Sequence, residues 1–498
     1  MDTTKAKHNH KQYNQGNLLF LRPEQDTMVK KYHFVGIGGC GMSGLAQVLA
    51  QLGERVSGTD MQDSSVLQQL QQRGITIQVG HNASAVPKDV DCVVISAAVP
   101  DDNPELVCAR QQGVRVCKYA QMLGEVSRRV KTLAVTGTHG KSTTSGWLAH
   151  VLQHAGLEPS FVVGAEVDQL GGGSGAGRGE YMVVEACEYD RSFHYLRPKA
   201  AAILNIEADH LDYYRDLDEI IEAFATFARL VDKNGLLVLN ADDENILRIF
   251  RGTSGVKDKS PLETRCQWLS LQGRGDWQAE NVSMERGQGC FDLTYQGQKL
   301  GRVKLALAGR HNVANALAVA ALAREAKLSA EQICAGLESY RGAGRRMSFK
   351  GEYQGVVMLD DYAHHPTEIR ATLEAIRARY CNPQGPGRLW CVFQPHQHSR
   401  TRFFLDEFAL SFRAADIILL PDIYFVRESE QLRREVTALQ LAEKISANGG
   451  QARYLADFTR IVDELASQVR PGDVVVSMGA GDVWKVIDEL ICRLGRDS

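Results

Sequence analysis

The chain has 498 residues, 44% hydrophobic and 23% charged, and at ~150 residues per domain that length predicts about three domains. The composition excludes a mostly disordered chain and a disulfide-stapled mini-protein. Lys+Arg 57 against Asp+Glu 60 leaves a formal charge of −3, which excludes a global basic field for nucleic acid or anionic lipid.

Residues 1–29 form a polar leader with little periodicity, expected to be disordered; its His8 and His10 read as part of a solvated tail. From Tyr32 the pattern changes. A strand over residues 33–35 runs into Gly36-Ile37-Gly38-Gly39-Cys40-Gly41. Met42, Leu45, Ala46, Leu49 and Leu52 then follow helical spacing up to a stop at Gly53. A second strand ends at Asp60 and a third covers residues 92–95, so residues 30–128 read as a parallel α/β domain. Gly36-x-Gly38-x-x-Gly41 meets the dinucleotide fingerprint, with Asp60 about where a ribose-binding acid would stand. Such glycines let a diphosphate approach backbone N–H groups at a helix N-terminus. The turn does not say which nucleotide binds, and an unliganded turn remains an alternative.

The pattern restarts in residues 129–342. A strand over 132–136, a glycine loop and a helix over 142–155 come first, and further strands are expected at 181–184, 200–204 and 236–239. Leu170 to Gly175 reads as a flexible surface loop. Residues 262–304 are strand-like with a hairpin turn at Gln296-Gly297, and a helix over 312–326 follows. Gly137-Thr138-His139-Gly140-Lys141-Ser142 lies between strand and helix, where backbone amides converge on anionic oxygens and Lys141 adds a charge. Ser142 is placed to offer a hydroxyl to Mg²⁺. The loop is a variant, because the first glycine of the strict GxxxxGK[ST] pattern would fall on Val135. Glu185 and His210 each follow a strand, at the sheet edge where ligands bind, and supply carboxylate and imidazole for a metal.

Residues 343–498 form a third α/β unit with strands at 356–359, 389–393, 417–420 and 474–476. Asp360-Asp361-Tyr362-Ala363-His364-His365-Pro366 ends one strand and carries too much chemistry for a core; a capping cluster ahead of Thr367 and Glu368 is the alternative. The segment from Gln394 through His396, Gln397 and Arg400 to Arg402 follows another strand and brings cationic donors. Gly479-Ala480-Gly481 reads as a turn. The 11 cysteines include no CxxC pair, and no window approaches the ~18 apolar residues of a membrane span. The chain is expected to be cytoplasmic, with reduced thiols, no membrane or nucleic-acid partner, and a monomeric or homodimeric state.

Taken in order, residues 33–44, the Gly137 to Ser142 loop, Asn205 to His210, Gly309-Arg310-His311-Asn312, Arg345-Arg346 and Asp360 to Glu368 resemble the Mur ligases. The resemblance runs from about residue 30 to the C-terminus. It implies a Rossmann-like UDP-binding domain, a central P-loop ATPase-like domain and a C-terminal Rossmann-like ligase domain. It further implies ATP-driven joining of L-alanine to the lactyl carboxylate of UDP-N-acetylmuramate through an acyl phosphate, with ATP and Mg²⁺ required. By similarity the UDP-sugar would lie on Gly36, Gly38, Gly39, Gly41, Met42 and Ser43. ATP would lie on Gly137, Thr138, His139, Gly140, Lys141, Ser142 and Thr143, with His311 and Asn312 on the adenine side and Arg346 and Asp361 reaching in from the third domain. Ser142, Glu185 and His210 would hold metal, and Lys141, Glu185 and His210 would carry catalysis. Tyr362, His364, His396 and Arg400 would bind the amino acid.

Three departures bear on these expectations. Ala186-Cys187-Glu188-Tyr189-Asp190 stands where the family pattern is Ala-Asp-Glu-Ser-Asp. Residues 222–230 lack the modified lysine of the sister ligases, in line with an alanine-adding enzyme. Gln397 replaces a common arginine, leaving Arg400 in place and Arg402 as a substitute, so glycine or L-serine stays open as acceptor. A ligase that recycles a preformed tripeptide shares the phosphate loop and remains the alternative activity.

Overall fold

A computed structural model describes residues 29–250, 262–381, 385–426, 428 and 430–495. The leader expected over residues 1–29, with His8 and His10, lies outside these residues except for Val29.

Three sheets follow one another along the chain. The first is five-stranded and parallel, in the order Thr76–Val79, Arg55–Asp60, Lys31–Val35, Cys92–Ile95, Arg115–Lys118. The order reverses beside Lys31–Val35, which opens a crevice at the carboxyl ends of the strands where the first glycine turn lies. The Thr76–Val79 strand is not among those expected: it is a four-residue, largely exposed edge strand whose apolar residues Ile77 and Val79 alternate with polar ones and form no apolar run.

The second sheet has ten strands. At its centre Leu236–Asn240, Ala200–Ile203, Lys131–Thr136 and Tyr181–Glu185 run parallel, buried on both faces and almost wholly apolar. The helices Lys141–His154 and Arg310–Glu325 pack against one face, with Trp147 and Trp277 fully buried beside them. Strands Trp277–Glu285, Gln288–Tyr295 and Gln298–Ala308 extend one end as an antiparallel meander. Its expected turn is present: Gln296 (φ 50°) and Gly297 (φ 77°) both adopt the left-handed conformation of a two-residue hairpin.

The expected flexible loop at Leu170 to Gly175 is instead a packed seam. Ser174–Gly175 forms an edge strand antiparallel to Ser160–Val162, and the Ser174 hydroxyl donates to the Cys40 carbonyl at 2.8 Å. A Cβ on Gly173 would come within 2.7 Å of the Cys40 sulfur and 2.9 Å of the Ala165 carbonyl. Gly173 there permits close approach of the first sheet's helix Cys40–Gln51.

The third sheet runs Ser348–Tyr353, Val356–Asp361, Val474–Met478, Leu389–Phe393, Ile417–Leu420, Ala452–Tyr454, parallel except for the first strand. Its carboxyl edge, carrying Asp361 and the segment after Phe393, faces the carboxyl edge of the second sheet. Hydrogen bonds from His365 to the Ala208 carbonyl (3.1 Å) and from the Thr367 hydroxyl to Glu207 (2.7 Å) join the two.

Candidate active site

The phosphate loop is built by the strand Lys131–Thr136 and the helix Lys141–His154. Gly137 (φ 146°) and Gly140 (φ 82°) turn the chain between them, and a Cβ on Gly137 would meet Leu204 and Asn205 at 3.0–3.2 Å. The segment after the strand Ala200–Ile203 zips onto this loop. The Asn205 side chain accepts from the His139 N–H (2.7 Å) and donates to the His139 carbonyl (3.1 Å), while the Glu207 N–H donates to the Thr138 hydroxyl (2.8 Å).

Lys141 curls over the loop and donates to the Gly137 and Thr138 carbonyls at 2.7 and 2.9 Å and to Glu188 Oε1 at 2.8 Å. Glu188 is buried, and Lys141 with the nearby His210 holds its carboxyl below the usual range against the cost of burial. His210 Nε2 lies 3.5 Å from the same oxygen, and the other, Oε2, is buried without a partner. The Ser142 hydroxyl donates to Glu185 Oε1 at 3.1 Å, and Glu185 Oε2 accepts from the Gly164 N–H at 2.6 Å. Hydroxyl, carboxylates and imidazole therefore gather at one sheet edge, a mainly hard-oxygen donor set that fits Mg²⁺. Glu188, 47 residues from Lys141, was absent from the expected site. Its sequence signal is its place three residues after Glu185, where it matches the glutamate of the family pattern Ala-Asp-Glu-Ser-Asp.

A cavity of ≈ 460 Å³ begins beside this loop. His139, Gly140, Thr143, His311 and Asn312 line it from the second sheet's side, and Arg346 and Asp361 from the third. Gly137, Thr138, Lys141 and Ser142, also expected to hold ATP, do not line this cavity. Asn205, Asn315 and Glu368 also line it and were not anticipated. Burial lowers His311 to about 4, so this imidazole is neutral near pH 7. Asp361, buried, accepts from the N–H groups of Met347 (2.7 Å) and Ala363 (2.8 Å) and is raised to about 6 by desolvation. The Arg346 guanidinium sits 5.0 Å from the Tyr362 ring centre.

The expected amino-acid residues cluster beyond the cavity. His364 donates from Nδ1 to the Tyr362 carbonyl (3.0 Å) and is pushed down to about 3 by burial. His396 stacks on Tyr424, with ring centres 5.4 Å apart. Arg400 is buried and donates through Nη2 and Nε to Asp209 Oδ1, at 2.8 and 3.2 Å. Its charge is thus already matched across the two sheets. Arg402 does not substitute for the missing arginine: it is exposed and pairs with Glu435. Gln397 is buried, with φ 67°, and its N–H donates to the Tyr424 carbonyl.

In the first sheet's crevice, Gly36 (φ 78°) and Gly38 turn the chain, and Asp60 accepts the Gly38 N–H at 2.8 Å. Asp60 thus braces the turn through one of its oxygens. A Cβ on Gly41 would meet the Tyr119 ring at 2.8 Å. The side chains of Met42 and Ser43 are buried, the latter bonded to the Cys40 carbonyl at 3.0 Å, so Gly36, Gly38 and Gly39 supply the exposed backbone of this turn.

Comparison with known proteins agrees with this arrangement along nearly the whole chain. Residues 31–131 match the Mur ligase family catalytic domain, 135–323 the Mur ligase middle domain, and 345–481 the Mur ligase glutamate ligase domain. The UDP-N-acetylmuramate–L-alanine ligase of Acetivibrio thermocellus is 42% identical over 465 residues, covering 92% of this chain and 94% of that protein. The same ligase of Clostridium acetobutylicum is 40% identical over 465 residues, covering 93% and 97%. Among solved structures, UDP-N-acetylmuramate-alanine ligase MurC of Thermotoga maritima superposes with a TM-score of 0.74 at 28% identity, covering 94% of this chain and 100% of that one. The murein peptide ligase Mpl of Psychrobacter arcticus gives 0.65 at 27%, covering 94% and 99%. The chain belongs to the Mur ligase family.

Proposed function

We infer that this chain is an ATP-dependent ligase that joins L-alanine to the lactyl carboxylate of UDP-N-acetylmuramate, forming ADP and phosphate, in peptidoglycan precursor synthesis. The observation that carries the reading is its 40–42% identity, over more than nine-tenths of the chain, to ligases of that name. Residues 30–128 would hold the UDP-sugar on the first glycine turn, residues 129–342 ATP, and residues 343–498 the amino acid. Among the described residues no helix is long and apolar enough to cross a membrane, in keeping with a cytoplasmic enzyme on small-molecule substrates.

A carboxylate is a poor electrophile, so its attack on the γ-phosphoryl group to give an acyl phosphate converts it into one that an amine can open. Several anionic groups must then crowd together. Lys141 and the loop amides supply fixed positive potential there, and Ser142, Glu185 and His210 would hold Mg²⁺. When bound, the ion neutralises phosphate charge. Glu188 holds Lys141 in place over the loop until phosphate oxygens compete for its ammonium group. His311 and Asn312 border the cavity on the adenine side, with Arg346 and Asp361 opposite.

Neutral amine then attacks the acyl carbon and phosphate leaves. His364, at about 3, is a hydrogen-bonding partner for that amine and a weak base. Arg400 holds the loop next to the acceptor while bonded to Asp209. Tyr362 and His396 bound the space left for a small side chain.

Phosphate release from ATP and Mg²⁺ tests the reading. It should require both UDP-N-acetylmuramate and L-alanine, with glycine, L-serine and a tripeptide weaker. Release driven best by the tripeptide would assign the recycling activity instead, and no release with any acceptor would refute the ligase.

A further inference from the structure

Beside the phosphate loop lies a second group of side chains with a donor set unlike the Mg²⁺ centre. His139 belongs to the loop, Glu207 follows the strand Ala200–Ile203, and His365 caps the third domain's helix Pro366–Tyr380. One ligand atom from each lies within 4.8 Å of the others. His139 Nε2 is 3.4 Å and His365 Nδ1 3.9 Å from Glu207 Oε2. Bonds of ~2.0–2.1 Å in a tetrahedral site give ligand–ligand edges of about 3.4 Å. The first pair already has that spacing, and the second needs to close by about half an ångström.

The outer nitrogens are bonded as metal-ligating imidazoles require. His139 Nδ1 faces Glu368 Oε1 at 3.0 Å, and His365 Nε2 faces the Ala208 carbonyl at 3.1 Å. The His365 Nε2 proton leaves its Nδ1 lone pair free for a ligand bond, and a metal would displace the proton that the Glu207 and Glu368 carboxylates favour on His139 Nε2. The inner side is held only lightly at His365, where the Thr367 N–H approaches Nδ1 at 3.3 Å. The Thr367 hydroxyl donates to Glu207 at 2.7 Å and orients that carboxylate without blocking its remaining lone pairs. Two imidazoles and one carboxylate suit a borderline cation and not Mg²⁺. His139 and Glu207 also line the cavity, which leaves a fourth position open to a water or anion.

We propose that His139, Glu207 and His365 form a binding site for a borderline divalent transition metal such as Zn²⁺, and that its occupancy fastens the phosphate loop to the third domain. Two ligands come from the central domain and one from the third. A bound ion therefore resists any parting of these domains that substrate entry and product release require, and turnover is arrested.

Co²⁺ is the probe, titrated into the full-length chain with Mg²⁺ in excess to fill the hard-oxygen centre. One equivalent should bind with tetrahedral d–d absorption and without a thiolate charge-transfer band, and Zn²⁺ should displace it. Binding should be lost in both His365→Gln and Glu207→Gln. Glu368→Gln, which removes only the carboxylate behind His139, should weaken it about 10–100-fold. Zn²⁺ inhibition of phosphate release, taken relative to each variant's own uninhibited rate, should disappear with the same substitutions. The two ligand variants lie in different domains, so if one fails to fold the other decides. Absence of saturable binding, a thiolate band, or unchanged Co²⁺ affinity in a folded ligand variant would overturn the proposal.

Discussion

Lys141 and Glu188 hold opposite charges in the same small space, and each is there for a different reason. Lys141 answers to phosphate; Glu188 answers to Lys141, whose other two contacts are the carbonyls of Gly137 and Thr138. Replacing Lys141 by Ala should lower the rate of phosphate release by more than about 100-fold. It should also cost about 3 kcal/mol of stability, because Glu188 is left buried with only the His210 imidazole, 3.5 Å away, beside it. Adding Glu188→Gln should restore the urea midpoint and leave the rate low. Recovery of both, or a Lys141→Ala enzyme with near-normal turnover, would remove Lys141 from the phosphate site. This pairing also marks what could be read from the chain beforehand. Glycine loops and strand-end ligands such as Glu185 and His210 are legible because local geometry demands those residue types at those places. The pairings of Glu188, Asp209 and Glu368 are not, although the residues fall inside the family motifs, since their partners stand 47, 191 and 229 residues away, and charge matching at that separation has no local pattern.

At the scale of elements, the helix Lys141–His154 carries the phosphate loop at one end and a buried histidine near the other. His150 Nε2 shares a hydrogen bond of 2.8 Å with the Ser339 hydroxyl, and burial lowers the imidazole to about 4. A lowered folded value means that the unfolded chain binds the proton more readily. Stability from this group is therefore present above about 6.5 and lost as pH falls through about 4. The drop in unfolding free energy between those limits should be smaller in His150→Gln than in the unsubstituted chain, by up to about 3 kcal/mol. Equal pH dependence in the two would show that the imidazole does not titrate with unfolding. The central strands and amphipathic helices were legible because their apolar spacing matches the sheet and helix periods. Thr76–Val79, largely exposed at a sheet edge, has the strand period in Ile75, Ile77 and Val79 but is only four residues long, too short to stand out. Leu170 to Gly175 misleads for another reason: its glycines look like slack, but the Cβ space of Gly173 is taken by Cys40 of the neighbouring sheet's helix and that of Gly175 by the Phe161 ring.

At the scale of the whole molecule, the second and third sheets present their carboxyl edges to each other and meet through buried polar groups, with Ala208 and Leu211 packed against the third domain's core. The strongest link is Arg400 with Asp209, each side chain only 8% exposed. Arg400 would hold Asp209 well below the carboxylate range, and the neighbouring His210, His364 and His365 favour the same ionised state. Removing one partner strands a buried charge, which typically costs 3–5 kcal/mol, or about that much of the closed arrangement here. Removing both strands none. Asp209→Asn and Arg400→Gln should each loosen the seam, visible as faster amide exchange in residues 205–210 and 396–402. The double variant should exchange more slowly than the sum of the two effects predicts, with a coupling of about 1–3 kcal/mol. Activity need not return with it, because Arg400 borders the acceptor. Strictly additive exchange rates would mean that the pair contributes nothing to holding the third domain against the phosphate loop. Closure would then rest on the contacts of His139, Glu207, Glu368, His365 and Thr367.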